Sequence, residues 1–403
     1  MNKFIDLLDR KLVPIASKIG AQRHLLAVRD GFVVIMPLMI IGSLAVLVNS
    51  LPIDAYQDAM NSIFGGDGWK NFANYISQGA FNVMSLLVVF TTSASLARHY
   101  KKDGITTGAI CLASLVTIMA TISTAEGTSG LAFSWLGGQG LFIAIFIALV
   151  GTEVFVRLSN IDKLIIKMSD GVPPAVAKSF ASLIPAIITI IMFALLRVLF
   201  NVMGIENIHQ AFYEALQAPI VKMANTLPTA ILIALLNHVF WFFGLNGGSI
   251  LEPIMQSVYL PAIDQNIAAL ALIVSVLIFT RRNRPYKVVS ELSAAPGIFN
   301  INEPVMFGFP IVLNPILFIP FLLIPIVLTI IAYVAISSGL VPKTIVMIPW
   351  TTPPIIGGFL ATGSWRGGAL ALFNFIIAVM MYMPFLKIAE KQFLKLDKET
   401  TND

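Results

Sequence analysis

Residues 297–310 read GIFNINEPVMFGFP and place Asn300, Asn302 and Glu303 within an otherwise strongly apolar chain. A carboxylate at bilayer depth costs about 2.5–3.5 kcal/mol on insertion scales, so we expect a glutamate there to serve a function. Several residues in this stretch or directly before it are expected to interrupt a continuous helix: Pro296, Gly297, Pro304, Gly308 and Pro310. Broken backbone at membrane depth needs protein or a watery cavity around it. The segment therefore predicts a re-entrant loop that lines a polar cavity.

The composition of the whole chain predicts an all-α polytopic membrane protein. Of its 403 residues 57% are hydrophobic and 12% are charged, and the mean hydropathy is +0.86. These values lie far from those of soluble domains, and we expect no nucleic-acid partner. Charges scattered through the first 30 residues give no cleavable signal pattern. The single cysteine, Cys111, lies in an apolar run, so we expect a core or lipid-facing residue and no disulfide, metal site or cofactor.

Eight apolar runs have about the length that a membrane-spanning helix needs. They are 31–48, 79–97, 104–122, 138–155, 179–200, 267–280, 313–336 and 367–386. Counting the arms of two further hairpins, the chain would contain about ten helices.

The distribution of basic residues predicts the orientation of these helices. If both termini are cytoplasmic, all but five of the 26 Lys and Arg residues fall on the inside. This holds only if 229–263 does not cross the membrane, and the segment therefore predicts a hairpin that enters from outside. Its glycine-rich centre at 244–248 suits a turn at mid-depth. Residues 288–311 would form a second hairpin from the cytoplasm, and such opposed hairpins are typical of transporters.

The same pattern divides the chain into two parts and a connection. Residues 1–200 consist mainly of long apolar spans and are interpreted as a scaffold. Residues 201–226 include an amphipathic stretch that would link the halves. Residues 227–403 contain both predicted hairpins and most of the polar groups at membrane depth, so we expect the functional site there.

The polar and aromatic residues of the second half suit carbohydrate recognition, which needs hydrogen-bonding groups and a flat apolar surface. Candidate polar groups are Asn237, His238, Asn246, Asn300, Asn302, Glu303 and Asn314, and candidate aromatic surfaces are Trp241, Trp350 and Trp365. Burial raises the pKa of a carboxyl group, so Glu303 would accept a proton from a sugar hydroxyl more readily. Alternative interpretations remain for these residues. The histidine would pack between helices, the tryptophans would anchor the chain at the membrane interface, and Glu303 would form a structural ion pair.

Four motifs carry a family resemblance over nearly the whole chain: GIFNINEPVMFGFPIVLNP at 297–315, PWTTPP at 349–354, TGSWRG at 362–367 and IGAQRHLLAVRDG at 19–31. With these motifs the chain resembles the enzyme IIC membrane component of the bacterial phosphotransferase system, in its lactose/cellobiose subgroup. The resemblance implies a multi-pass protein of the plasma membrane that forms a homodimer through its first half. It also implies that the second half binds a β-linked disaccharide, with Glu303 contacting the hydroxyl that is phosphorylated.

The phosphoryl donor implied by this resemblance is a phosphocysteine on a separate cytoplasmic enzyme IIB. The absence of a reactive cysteine here agrees with such a donor. A basic cluster precedes the second hairpin: Arg281, Arg282, Arg284 and Lys287. This cluster would dock the acidic partner or its phosphate, or it would only set the topology of the chain.

One position departs from the family pattern. Members usually have a histidine between glycines at the tip of the first hairpin, where this chain reads Gly244-Leu245-Asn246-Gly247. Asn246 can hydrogen-bond a sugar but cannot exchange a proton near neutral pH. Two other functions therefore stay open at this stage: a proton-coupled secondary sugar transporter that uses Glu303, and a sugar receptor that binds without transport.

Overall fold

The computed structural model describes residues 22–51, 53–123, 127–168, 172–222, 226–242, 261–280, 283–309, 311, 315–344 and 351–400. Within these ranges the chain is overwhelmingly helical, and one short antiparallel hairpin pairs β1 (Ile122–Ser123) with β2 (Ser129–Gly130). The all-α class predicted from composition is confirmed at this level.

Nine helices of the described chain precede residue 223. They are α1 (Arg23–Ser50), α2 (Asp54–Phe64), α3 (Lys70–Phe81), α4 (Met84–His99), α5 (Gly104–Ile118), α6 (Phe133–Leu136), α7 (Leu141–Leu158), α8 (Pro174–Val202) and α9 (Ile208–Lys222). Seven more follow among the residues that the structure describes. They are α10 (Leu227–Phe242), α11 (Pro261–Phe279), α12 (Arg284–Ile298), α13 (Glu303–Gly308), α14 (Pro315–Ser337), α15 (Pro354–Thr362) and α16 (Trp365–Thr400).

Each of the eight predicted spans overlaps a helix, and 79–97 covers the end of α3 and most of α4. By length and composition, six helical segments of the described chain can cross a membrane: Arg23–Asn49, Asp67–His99, Gly138–Leu158, Val176–Val202, Leu317–Ser337 and Trp365–Lys391. The predicted spans at 104–122 and 267–280 match shorter apolar helices, Gly104–Ile118 and Ile267–Phe279. Three features stay predictions: the exact number of membrane crossings, the two re-entrant hairpins, and the cytoplasmic location of both termini. The tip of the first hairpin lies outside the described residues.

Contacts between residues divide the described chain into two compact units. One contains Ala21–Ile35 and Gly79–Ala218, and the other contains Met36–Gln78 and Pro219–Asp403. A boundary between them falls after residue 218, within α9. The predicted division into scaffold, linker and sugar-binding part concerns roles and stays a prediction.

The unit that contains the second half is held together by one buried apolar cluster. Its members come mainly from α11, α13, α14 and α16: Ile267, Leu272, Ile273, Val276, Val305, Phe321 and Tyr382. Because lipid is as apolar as these side chains, such helices associate through close van der Waals packing rather than through removal from water. The cluster therefore fixes α13, which begins at Glu303, against the long helices.

The opening motif at 19–31 supplies a polar cluster at one end of α1. His24 Nε2 lies 2.8 Å from Glu153 Oε1 of α7, and Glu153 also accepts a hydrogen bond from the Tyr100 hydroxyl. Arg157 Nη2 is 3.0 Å from Glu153 Oε2, and the Arg23 guanidinium lies over the Tyr100 ring. Burial and the hydrogen bond to Glu153 raise the pKa of Tyr100. These contacts fasten the start of α1 to α7 and to the residue that follows α4.

Two further expectations from the sequence concern the unit that contains most of the first half. Cys111 is fully buried, with its Sγ 3.7 Å from Thr152 Oγ1, so its interpretation as a core residue is confirmed. The predicted amphipathic linker forms α9, and its first turn is packed: His209 is buried and its ring centroid lies 5.9 Å from that of Trp135. Burial lowers the pKa of His209 to about 4, so this imidazole is neutral at physiological pH.

Candidate functional site

The break in the helix before Glu303 has a defined geometry. The N–H of Asn300 donates to the carbonyl of Gly297 and the N–H of Ile301 donates to that of Pro296, both at 3.1 Å. This pair of bonds is a Schellman motif, which closes a helix with a left-handed residue. Asn300 is that residue, with φ of +62°, and asparagine tolerates this region better than most non-glycine residues. The sequence places an asparagine where the chain must turn out of α12.

The expectation that the prolines and glycines around Glu303 interrupt the helix was wrong for Pro296, Gly297 and Pro304, and Pro310 lies outside the described residues. Pro296 and Gly297 lie within the last turn of α12, and Pro304 occupies the first turn of α13. A proline in the first turn is tolerated because the N–H groups there have no partner within the helix. Gly297 allows close packing, since a Cβ at this position would collide with Ile273 of α11. The break is confined to 299–302.

Helices α12 and α13 fold back on one another across this break. The Tyr286 and Phe309 rings meet edge to face, with centroids 5.4 Å apart. A Cβ on Gly308 would stand only 2.8 Å from Cγ1 of Val289, so the glycine permits the close approach of the two helices. This pairing agrees with two arms of a hairpin, while entry of that hairpin into the membrane from the cytoplasm stays a prediction.

Glu303 is the first residue of α13 and only 4% of its surface is exposed. Asn302 precedes it as the N-cap residue, and the Asn302 carbonyl accepts a hydrogen bond from the N–H of Met306 at 2.9 Å. The following residues Val305 and Met306 belong to the buried apolar cluster. The carboxyl group thus stands at the start of a short helix in which Val305 and Met306 are also buried.

Trp241 of α10 is brought to α13. Its ring centroid lies 6.3 Å from that of Phe307, at an interplanar angle of 65°, and its side chain is buried. The structure therefore gathers the last turn of α10 and the helix of Glu303, which lie more than 60 residues apart in the sequence. Contact of this indole with a sugar ring stays a prediction.

His238 lies one turn earlier on α10, and its immediate contacts are those of packing. Its Nδ1 is 2.8 Å from the carbonyl oxygen of Ala234, and its ring centroid is 4.8 Å from that of Phe321 of α14. The alternative that this histidine packs between helices is therefore supported. A contact from Nε2 to a substrate stays a prediction.

A third segment joins the site through Asn300. Its Nδ2 donates to the carbonyl oxygen of Thr352 at 2.5 Å. Thr351 and Thr352 precede α15 and are 1% and 2% exposed. Sequence reasoning missed both threonines, although they lie inside the quoted PWTTPP motif and next to the candidate Trp350.

Several other predicted site residues are either exposed or lie outside the described residues. Trp365, at the start of α16, is 71% exposed. Arg284 and Lys287 are exposed in the first turn of α12, where Asn283 Oδ1 caps the helix by accepting from the N–H of Tyr286. Asn246, Asn314, Trp350, Arg281 and Arg282 lie outside the described residues.

Substitution of Asn300 separates its backbone role from its side-chain role. We expect Asn300→Ala to cost about 1 kcal/mol more than Asn300→Gly, because alanine is strained in the left-handed region and glycine is not. Both variants also lose the hydrogen bond to Thr352, worth about 0.5–1.5 kcal/mol. Chemical or thermal unfolding of the purified protein measures the difference. Equal stability of the two variants would contradict the backbone role.

The arrangement defines a class of protein. Helices long and apolar enough to cross a membrane occur together with a helix break that holds a buried carboxylate and a buried amide, and these features are typical of membrane transport proteins for polar solutes. Within the described ranges no group of three or more His, Cys, Asp or Glu side chains could hold a metal ion.

Comparison with known proteins identifies the family. The family model "Phosphotransferase system, EIIC" matches residues 29–325, so the chain belongs to the EIIC family of the phosphotransferase system. The resemblance inferred from the motifs is thereby confirmed, and the chain is an integral membrane component of a transferase complex. The EIIC subunit does not itself carry the phosphoryl transfer.

Relatives cover nearly the full length. A cellobiose-specific EIIC component from Geobacillus stearothermophilus is 38% identical, over 97% of this chain and 95% of its own. An oligo-beta-mannoside-specific EIIC component from Bacillus subtilis is 35% identical, over 98% and 96%. The crystal structure of the transporter ChbC, the IIC component from the N,N'-diacetylchitobiose-specific system, is 37% identical with a TM-score of 0.60, and the match covers 97% of this chain and 99% of that one.

Proposed function

We propose that this protein is the sugar permease for a β-linked disaccharide of the cellobiose, lactose or chitobiose class. It takes up the sugar and presents it to enzyme IIB for phosphorylation. The observation that carries the proposal is the burial of Glu303 at a helix break to which Asn300, Thr352 and Trp241 are joined. The names of the similar proteins support the sugar class, since those compared above are specific for cellobiose, β-mannosides or diacetylchitobiose.

The proposed chemistry assigns few tasks to this chain. The indole of Trp241 packs against a sugar ring, and amide groups bind the sugar hydroxyls. Glu303 orients the hydroxyl that is to be phosphorylated, or accepts its proton, while the phosphoryl group arrives from the phosphocysteine of enzyme IIB. Phosphoryl transfer depends mainly on positioning and on charge stabilisation, so such a site needs few catalytic groups. The charged product does not leave through the membrane, which makes uptake irreversible.

The assembly and the partner surface are part of the same proposal. The homodimer forms through residues 1–200, and 227–403 carry the sugar between the two sides of the membrane. The exposed side chains of Arg284 and Lys287 agree with docking of an acidic enzyme IIB, although positive residues at that end also fit the topology. Asn246 replaces the histidine that the resemblance leads us to expect, so it binds the sugar without exchanging a proton.

The energy source of uptake tests this proposal against proton coupling. Uptake of radiolabelled cellobiose, lactose or chitobiose by cells that express the chain with its soluble partners should persist when a protonophore abolishes the membrane potential and pH gradient. It should stop when phosphoenolpyruvate is depleted, because the donor phosphate derives from it. Uptake that collapses with the protonophore and proceeds without phosphoenolpyruvate would instead support a secondary transporter that protonates Glu303.

A further inference from the structure

Two buried hydroxyl groups of the site have no part in the function described so far. Thr351 and Thr352 are 1% and 2% exposed, and neither hydroxyl has a hydrogen-bond partner in the described part of the chain. Burying an unpaired hydroxyl is destabilising, and a ligand that formed hydrogen bonds with these two groups would offset that cost.

The usual local role of threonine at this place does not account for them. Threonine before a helix commonly accepts a hydrogen bond from the N–H groups of the first turn as the N-cap residue. Here the N-cap of α15 is Pro353, no side chain caps the helix, and Pro354 supplies its first residue. Both threonines therefore precede the capping position and hold their hydroxyls outside the helix.

The hydrogen bond from Asn300 places this pair beside the predicted sugar site. Its amide donates to the Thr352 carbonyl at 2.5 Å, and Asn300 itself is three residues before Glu303 and fixed by the Schellman motif. The donor nitrogen of Asn300 is thus engaged with protein backbone. Asn300 acts as a positioning residue that joins the threonines to the helix break.

We infer that the hydroxyls of Thr351 and Thr352 bind hydroxyl groups of the disaccharide and help to determine which sugar the protein accepts. A threonine hydroxyl donates one hydrogen bond and accepts others, as a sugar hydroxyl does, so the two groups pair in either direction. A site that hydrogen-bonds a hydroxyl also discriminates strongly against an analogue that lacks it. The inference rests on the proposed function and adds the specificity residues to it.

The test measures the affinity of the purified full-length protein for cellobiose, lactose and chitobiose by calorimetry. For the sugar that the wild type binds, Thr351→Val and Thr352→Val should each weaken binding about 3- to 10-fold, the effect of losing one neutral hydrogen bond. Serine at either position keeps the hydroxyl and should bind within about 2-fold of wild type. Thr329→Val is the matched control, because Thr329 of α14 is also buried with an unpaired hydroxyl, and it should leave affinity unchanged.

A second arm separates hydrogen bonding from shape. A monodeoxy form of the bound sugar that lacks the contacted hydroxyl should bind the wild type and the corresponding valine variant equally. Any valine variant that does not fold is replaced by alanine. The inference would be overturned if both valine variants bound the sugar with wild-type affinity, or if the serine variants lost as much affinity as the valine variants. Either result would leave the proposed function standing. Failure of the wild type to bind any of the three sugars would overturn both.

Discussion

Glu303→Gln should abolish sugar phosphorylation while leaving the fold and most of the binding affinity intact. Glutamine has the size of glutamate and keeps hydrogen-bonding groups, but it neither carries the charge nor accepts a proton near neutral pH. General-base assistance contributes about 10²–10⁴-fold to a proton-transfer step, so we expect phosphoenolpyruvate-dependent product formation to fall by at least about 100-fold. Affinity for the disaccharide should fall by about 10-fold at most, because a neutral hydrogen bond replaces a charge-assisted one.

Glu291→Gln provides the control for this experiment. Glu291 is an exposed carboxylate on α12, twelve residues before Glu303, and the same change there alters net charge equally. It should leave both phosphorylation and binding at wild-type levels. Normal phosphorylation by Glu303→Gln would remove Glu303 from the proposed chemistry, whereas equal losses in both variants would point to a general effect of charge.

Gly367→Ala should cause a large loss of stability through one added methyl group. Gly367 of α16 packs backbone to backbone on α15, and a Cβ there would overlap the carbonyl oxygen of Gly358 and the side chain of Thr362. Neither helix can yield locally, since Thr362 Oγ1 also donates to the Gly358 carbonyl at 2.8 Å and Gly363 turns the chain with φ of +60°. Overpacking of this kind costs about 3 kcal/mol. The apparent melting temperature in detergent measures it.

The matched control is Gly79→Ala. Gly79 lies within α3 with open space where a Cβ would stand, so alanine meets no neighbour. Since alanine favours helix over glycine by about 1 kcal/mol, this variant should melt at or above the wild-type temperature. If Gly367→Ala melts like the wild type, the close packing of α15 on α16 is not the reason for the TGSWRG motif.

Long apolar runs made most of the membrane helices predictable. Twenty consecutive apolar residues have few alternatives to a spanning helix, so each predicted span found its helix. The ends were less predictable, because amphipathic turns extend the helices beyond the apolar run: α1 begins at Arg23 and α16 continues to Thr400. Helices α2 and α3 were not predicted, because their many polar residues leave no long apolar run.

The candidate site was predictable where a residue type is costly in its surroundings. A glutamate in an apolar chain pointed to Glu303, and the structure buries it. Threonine carries no such signal, because its methyl and hydroxyl groups suit both packing and hydrogen bonding, and so Thr351 and Thr352 were passed over. The role of Asn300 depends on a left-handed backbone and on a partner 52 residues away, and neither feature follows from the local sequence around it.

Phosphoenolpyruvate-dependent phosphorylation of a glycoside panel tests the central claim most directly. Membranes that contain this chain would be supplied with the soluble phosphotransferase proteins and a matching enzyme IIB, with Glu303→Gln and an active permease assayed in parallel. The account predicts that a β-linked disaccharide such as cellobiose, lactose or chitobiose is phosphorylated by the wild type only. Sugar binding without any phosphorylated product, while the parallel permease forms its own product, would contradict it.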